Sequence, residues 1–347
     1  MMIEKNNKVG FMWHCHYDRL CLHTVKQLSH LPHMPFPVDY PTYVSREQLV
    51  EYFDTYAKHF GITPRFGVEM KSVTPSGHKW QVITMGDEIY RARHVVIATG
   101  VNRVPNAPHW PGQEEFKGTI IHSREYKNPD PYNGQKVLVV GMGNTGAEIA
   151  LDLAEHDIEV YLSVRGPVNI VPRDINGRPT QLTARILAKL PFGLGDWLGT
   201  AIRKIVIGDL QKYGLESSAV PPAVQLRETG KTPVIDLGTV ALIKKGKIKV
   251  IGAIQSFYDD GVVLTDGTRM PFDEVVLATG YTPDIEQFFE DPEDLLDTHG
   301  VPKGPIGTGA FEGLYFVGFD NYKLGGILGT IFTDSEAIVD AILTAKN

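Results

Sequence analysis

Unbroken apolar runs and apolar stripes of helical period alternate along this chain, and they mark its elements. Residues 137–140 are Val-Leu-Val-Val, the kind of run that a strand covered on both faces requires. Glycines follow at 141, 143 and 146, and then Ile149, Leu151 and Leu153 carry the apolar side of a helix. Residues 45–60 read as another helix: Leu49, Tyr52, Phe53, Tyr56 and Phe60 form its apolar face, Ser45 and Gln48 offer a capping box, and Gly61 stops it. Residues 65–71, 79–84 and 94–99 read as strands, with turns at Ser76-Gly77 and Gly86-Asp87. Downstream lie a Pro/Gly-rich stretch at 165–179, helical runs near 181–190 and 197–213, several short strands, and a closing helix near 327–343.

The spacing Gly141-x-Gly143-x-x-Gly146 between a buried strand and a helix is the pattern of a dinucleotide-binding βα turn. The first glycine permits the tight turn, the second lets backbone approach a pyrophosphate, and the third lets helix pack on strand. The free N–H groups of the helix N-terminus then face the phosphates. Gly141, Gly143, Asn144 and Gly146 are therefore candidate cofactor contacts. The next strand, 158–164, ends without the carboxylate that would hold an adenosine ribose 2′-hydroxyl, and Ser163 and Arg165 stand there instead. A hydroxyl and a guanidinium suit a 2′-phosphate, which favours NADPH over NADH. The bland alternative for Arg165 is a solvated surface charge.

One internal echo organises the rest. Val95-Val96-Ile97-Ala98-Thr99-Gly100 recurs as Val275-Val276-Leu277-Ala278-Thr279-Gly280, identical at five of six positions. Each copy reads as a buried strand ending in small residues, and each runs on to a proline, Pro105 or Pro283, as in a chain that leaves one domain and later returns. Two such strands imply two dinucleotide-binding units, yet the chain holds one glycine turn. Met2-Ile3-Glu4 reads as the end of a second Rossmann strand, where a carboxylate binds ribose. Since that carboxylate normally follows the glycines by about 20 residues, an opening βα unit of roughly 30 residues is expected to be absent.

Composition narrows the function classes. At 347 residues two domains are expected. A net charge of −7 provides no basic stripe, so nucleic acid is not expected as a partner. No apolar run suffices for a membrane span and the first residues lack a signal-peptide core, so cytoplasmic residence without membrane attachment is the default. Self-association is left open. Cys15 and Cys21 have neither the spacing of a redox dithiol nor that of a zinc knuckle, which argues against a flavin disulfide reductase. His14, His16, His23, His30 and His33 cluster, but no helical HxxxH or Cys/His quartet accompanies them and no metal is expected.

Phe116-x-Gly118-x-x-x-His122-x-x-x-Tyr126, followed by Lys127, resembles the fingerprint of the flavin-containing monooxygenases, and most closely that of the YUCCA-type enzymes. Residues 16–27, 31–37, 98–112, 230–239 and 313–319 add to the similarity, which covers almost the whole chain from Ile3. The resemblance implies an α/β fold of two Rossmann-like domains. An NADPH domain (129–267) is inserted in a discontinuous FAD domain (1–128 and 268–347) that lacks its first βα unit. It also implies the chemistry: NADPH reduces FAD, the reduced flavin captures O2 as a C4a-hydroperoxide, and one oxygen atom passes to a small organic substrate. That substrate is a soft N- or S-nucleophile for the broader family, or a 2-oxo acid such as indole-3-pyruvate for the YUCCA-like branch. Glu4, Trp13 and Asp320 are then candidate FAD neighbours. Lys26 and Gln27 match a pair that the family places beside the flavin ring, against the plainer reading of a surface Lys and a capping Gln. His122 reads as structural or linker-positioning, and Tyr126 as an interdomain or packing residue. Gly10-Phe11-Met12-Trp13 departs from the family's Gly-Gly-x-Trp, with bulky residues where phosphate approach needs small ones. The alternative expectation is a truncated NADP-binding protein with neither FAD nor monooxygenase activity.

Overall fold

The computed structural model describes residues 1–190, 193–320 and 326–345. It divides into two compact units, one made of Met1–Cys15, Thr24–Val104 and Tyr281–Asn347, the other of His16–His23 and Pro105–Gly280. The connector at 105–128 and the second echo strand thus fall in the second unit.

The second unit is built on a five-stranded, all-parallel sheet in the order Ile248–Ile251, Glu159–Ser163, Lys136–Val140, Glu274–Leu277, Thr119–His122. Apolar runs supply its centre because both faces are covered: Val137, Leu138, Val139, Val275 and Val276 are fully buried. The helix Asn144–Glu155 packs on one face, and Gly146 to Ala154 are all buried. An antiparallel meander of Ile254–Tyr258, Gly261–Leu264 and Arg269–Pro271 closes a second core layer around Phe116, Phe257 and Phe272.

The Pro/Gly-rich stretch 165–179 contains strands. Ile170–Pro172 pairs in parallel with Val234–Asp236, and Asp174–Ile175 turns back on Arg178–Pro179. Asn176 and Gly177 both adopt left-handed φ angles, 49° and 74°, which is the geometry that a two-residue hairpin turn needs. The helices Thr180–Leu187, Leu194–Ile207 and Pro222–Thr229 follow.

In the first unit the expected capping box is present: Gln48 N donates to Ser45 Oγ at 3.2 Å, and Ser45 N donates to Gln48 Oε1 at 3.2 Å. The helix runs Arg46–His59 and ends before Gly61, at φ 62°. Leu49 and Tyr52 are buried, but Phe60 lies beyond the last turn and is exposed. The single strand expected at 65–71 is broken, because Gly67 takes φ 71°. Arg65–Phe66 pairs in parallel with Ile3–Glu4, while Met70–Ser76, Lys79–Thr84 and the unforeseen Ile89–Ala92 form an antiparallel sheet. The two echo copies differ in burial. Val275 and Val276 lie mid-sheet, whereas Val95–Ile97 has one strand partner among the described residues, Leu314–Phe316, and Val96 is 46% exposed. The expectation that both copies are buried strands therefore fails for the first. The closing helix spans Gly326–Thr344, and among the described residues no helix is long and apolar enough to cross a membrane.

Candidate dinucleotide site

Strand order in the parallel sheet reverses at Lys136–Val140: the next strand in sequence, Glu159–Ser163, lies on one side and Glu274–Leu277 on the other. Ligands of open α/β sheets bind beyond the carboxyl ends of strands at such a point. There, Val140 is in register with both Ser163 and Leu277, so residues 141–146 emerge beside residues 163–165 and 278–280.

Each glycine of the turn answers a different constraint. Gly141 has φ 102°, and a Cβ on it would lie 2.7 Å from the Ala278 carbonyl oxygen. Its N–H donates to Ser163 O at 2.9 Å, which ties the turn to the neighbouring strand. A Cβ on Gly146 would lie 1.9 Å from Gly141 O, so only glycine permits this helix to sit so close to its strand. Gly143, the N-cap, is exposed, and a Cβ there would meet nothing within 4 Å. Protein packing therefore does not require glycine at 143. Ala278, the small residue of the second echo, is the wall against which Gly141 and Gly146 pack.

Asn144 is the first residue of the helix. Its Oδ1 accepts from Ile235 N at 2.7 Å and its Nδ2 donates to Pro233 O at 3.4 Å. Thr239 Oγ1 donates to Ala147 O at 2.9 Å, and Asp236 accepts from Gly238 N and Val240 N, capping the short helix Thr239–Lys244. The Pro233–Thr239 segment, seen in the sequence only as a shared motif, is a brace for the nucleotide helix. Ser163 is buried and its hydroxyl donates to Gly252 O at 2.8 Å. Arg165 is exposed, and no protein partner engages its side chain among the described residues.

The polar face of the same helix is buried and saturated. Glu148, 1% exposed, accepts from the Tyr17 hydroxyl at 3.0 Å and also pairs with His23. Asp152 accepts from the Tyr126 hydroxyl at 2.7 Å and from Arg19 at 3.2 Å, and Arg19 reaches Glu155 at 2.7 Å. Burial works to lower the Arg19 guanidinium, but Glu155 and Asp152 more than offset it and the net shift is upward. Burial first, and then the bond to Asp152, push the Tyr126 phenol far above its ordinary range, so it stays a donor at every accessible pH. The segment Tyr17–His23 is thereby held to a helix more than 120 residues further along the chain.

The fingerprint residues prove architectural. Phe116 packs in the second core layer, and a Cβ on Gly118 would lie 2.2 Å from Asp273 O. His122 Nε2 lies 3.1 Å from Gly280 O, and its Nδ1 accepts from Arg124 N at 3.2 Å, which assigns the proton to Nε2 in a neutral ring. Burial holds His122 below its ordinary value of 6.5. The unfolded chain therefore takes up a proton at higher pH than the native one. Stability should fall as pH drops below about 6.5 and level off beneath the native pKa. Urea midpoints between pH 5 and 8 should show this fall, and His122→Gln should flatten it; an unchanged slope would exclude His122 as its source.

In the first unit Lys26 donates to the carbonyls of Val38 at 2.7 Å and of Pro37 and Tyr40, stapling the proline-rich loop, and Gln27 is exposed beside it on a single 3-10 turn. Glu4 accepts from Asn6 N at 2.8 Å. Trp13 sits in the short helix Phe11–His14 with its ring 6.4 Å from Phe53, and Asp320 O accepts from Thr330 at 3.0 Å. The structure thus gathers Gly141, Gly143, Asn144, Gly146, Ser163 and Arg165 along one sheet edge. For Glu4, Trp13, Lys26 and Asp320 it shows local partners.

A parallel sheet with a phosphate-type glycine turn at its switch point defines a Rossmann-like dinucleotide-binding unit. The family model for flavin-binding monooxygenase-like proteins matches residues 6–299, and the chain belongs to that family. It is an oxidoreductase, a flavin-dependent monooxygenase. It is 38% identical over 335 residues to indole-3-pyruvate monooxygenase YUCCA1 of Oryza sativa subsp. japonica, covering 95% of this chain and 82% of that protein. To the probable indole-3-pyruvate monooxygenase YUCCA7 of Arabidopsis thaliana it is 36% identical, with 94% and 78% covered. The fold matches cyclohexanone monooxygenase from Rhodococcus sp. Phi1 bound to NADP+, with a TM-score of 0.75 at 20% identity over 99% of this chain and 79% of that one. It also matches flavin-containing monooxygenase from Stenotrophomonas maltophilia, with a TM-score of 0.71 at 18% identity over 100% and 91%.

Proposed function

We propose that this chain uses FAD and NADPH to insert one oxygen atom of O2 into a 2-oxo acid such as indole-3-pyruvate, with oxidative decarboxylation. The balanced reaction takes the 2-oxo acid, O2, NADPH and a proton to the acid shortened by one carbon, CO2, water and NADP+. The observation that carries the reading is the open N-cap at Gly143, where an added Cβ would meet no described atom within 4 Å. The names of the relatives at 36–38% identity support the substrate class.

NADPH belongs to the second unit in this reading and FAD to the first. The cofactor pair supplies the redox chemistry with O2 when bound. The chain's own part is orientation. N–H groups of the first helical turn receive the pyrophosphate, Gly141 and Gly146 set how closely the helix approaches, and Asn144 holds that turn to the Pro233–Ile235 segment. Arg165, with no side-chain partner among the described residues, pairs with the 2′-phosphate, while Ser163 holds the strand end through Gly252. Glu4, Trp13 and Asp320 line the flavin side, with Lys26 and Gln27 near its ring.

The test is purified protein reconstituted with FAD: a flavin absorption band, O2 uptake driven by NADPH, and CO2 released one for one with indole-3-pyruvate consumed. Absence of flavin binding after reconstitution would overturn the cofactor assignment. Flavin binding and NADPH oxidation without CO2 release would overturn only the substrate. Arg165→Ala should raise KM for NADPH about tenfold or more, the value of one charge-assisted contact of about 1.5–3 kcal/mol, and leave KM for NADH nearly unchanged. Equal effects on both would remove the 2′-phosphate role.

A further inference from the structure

The second unit buries a cation that no carboxylate among the described residues pairs with. Arg203, on the inner side of the helix Leu194–Ile207, is 7% exposed. Its Nη1 donates to Asn169 Oδ1 at 2.6 Å, and its Nε is buried without any acceptor. Asn169 is itself buried and neutral. Its Nδ2 is already spent on Val220 O at 2.9 Å and Gln225 Oε1 at 2.8 Å, and its backbone oxygen accepts from Val234 N. Among the described residues no ion pair includes Arg203. Buried charges in proteins are ordinarily paired, because an isolated one carries a large desolvation cost, and a guanidinium does not escape by losing its proton. Burial does lower Arg203, but from so high a value that it remains charged.

Arg203 also lines a cavity of about 50 Å³, walled by Val168, Ile170, Ile207, Leu210 and Leu215. Lys204, Ser217 and the exposed Glu216 line it as well. A space of that size holds a few waters or one small ion and excludes a nucleotide or an aromatic acid. We infer that this cavity is a binding site for a small monovalent anion, a halide or the carboxylate of a one- or two-carbon acid, held by the Arg203 guanidinium. The apolar walls supply the low dielectric that strengthens the pair. The site is separate from the glycine turn and does not depend on the proposed cofactors or substrate.

An anion that binds only the native state raises its melting temperature in a saturable way. In holoprotein at constant ionic strength, replacing bulky gluconate with chloride or formate should raise the midpoint by roughly 3 °C. Arg203→Met, close in volume and uncharged, should abolish the response, and Glu216→Gln should retain or strengthen it. Crystals soaked in bromide should show an anomalous peak beside Arg203. Saturation at lower formate than chloride assigns a carboxylate ligand, and the reverse order assigns a halide. Equal midpoints in chloride, formate and gluconate would overturn the proposal, as would a response surviving in Arg203→Met. Loss of the response in Glu216→Gln would instead make Glu216 part of the effect and equally overturn it. Should Arg203→Met fail to fold, the bromide map of the wild type decides alone, and no peak beside Arg203 sinks the site.

Discussion

Gly143→Val should fold and melt like the wild type yet lose NADPH, whereas Gly146→Val should not reach a native second unit at all. The two glycines look equivalent in the sequence motif but face opposite surroundings. A Cβ at 143 meets no atom within 4 Å, so valine there intrudes only into space that a pyrophosphate would take. A Cβ at 146 falls 1.9 Å from Gly141 O, a backbone atom that cannot move without opening the turn. Losing one or two phosphate hydrogen bonds of about 1.5–3 kcal/mol each weakens NADPH by about a hundredfold. Fluorescence titration with NADPH and thermal melts of both variants separate the outcomes. Gly143→Val that binds NADPH normally would remove the phosphate-cradle assignment.

Glu148→Ala should cost about 3 kcal/mol, because it leaves the Tyr17 hydroxyl and His23 without their buried acceptor. For a unit of this size that corresponds to a midpoint lower by about 6–12 °C. Glu155→Ala removes a carboxylate from the same helix and also breaks a contact with Arg19, but Glu155 is exposed and its loss should cost under about 1 kcal/mol. Glu148→Gln, which keeps an acceptor for Tyr17, should fall between. Calorimetric melts of the three variants check the order, and Glu148→Ala melting with Glu155→Ala would show that the buried network contributes little.

These two predictions mark where the sequence was informative and where it fell short. The glycine turn was legible because its requirements are local: tight φ at 141, close packing at 146 and an N-cap at 143 are imposed by a strand-turn-helix a dozen residues long. The capping box at Ser45 and Gln48 was legible for the same reason. The burial of Glu148 and Asp152 was not legible, since acidic residues four apart beside an apolar stripe describe a solvated helix face. That face is covered instead by Tyr17, Arg19 and His23, brought from far earlier in the chain. The echoed strands show the same limit. Their near-identity was visible, but whether a strand is flanked on both sides or one depends on neighbours that no local pattern names.

Lys26 shows how a polar residue inside an apolar segment acquires its job from the fold. The sequence allowed either a pocket residue or a surface lysine, and the structure finds its ammonium closing a loop of proline-rich backbone. His122 and Tyr126 belong to one motif, yet one bonds the Gly280 carbonyl and the other the nucleotide helix.

By itself the sequence determined the α/β class and the position of the dinucleotide turn, because short-range sterics and hydrophobic period are written in adjacent residues, and its motifs carried the resemblance to the family. Only the tertiary structure decided which carboxylates are buried, which echo strand is an edge, and that Arg203 lies enclosed beside a cavity. Burial is a property of what folds over a residue, and in this chain the covering segments come from more than 120 residues away in the case of Glu148 and 34 in the case of Arg203.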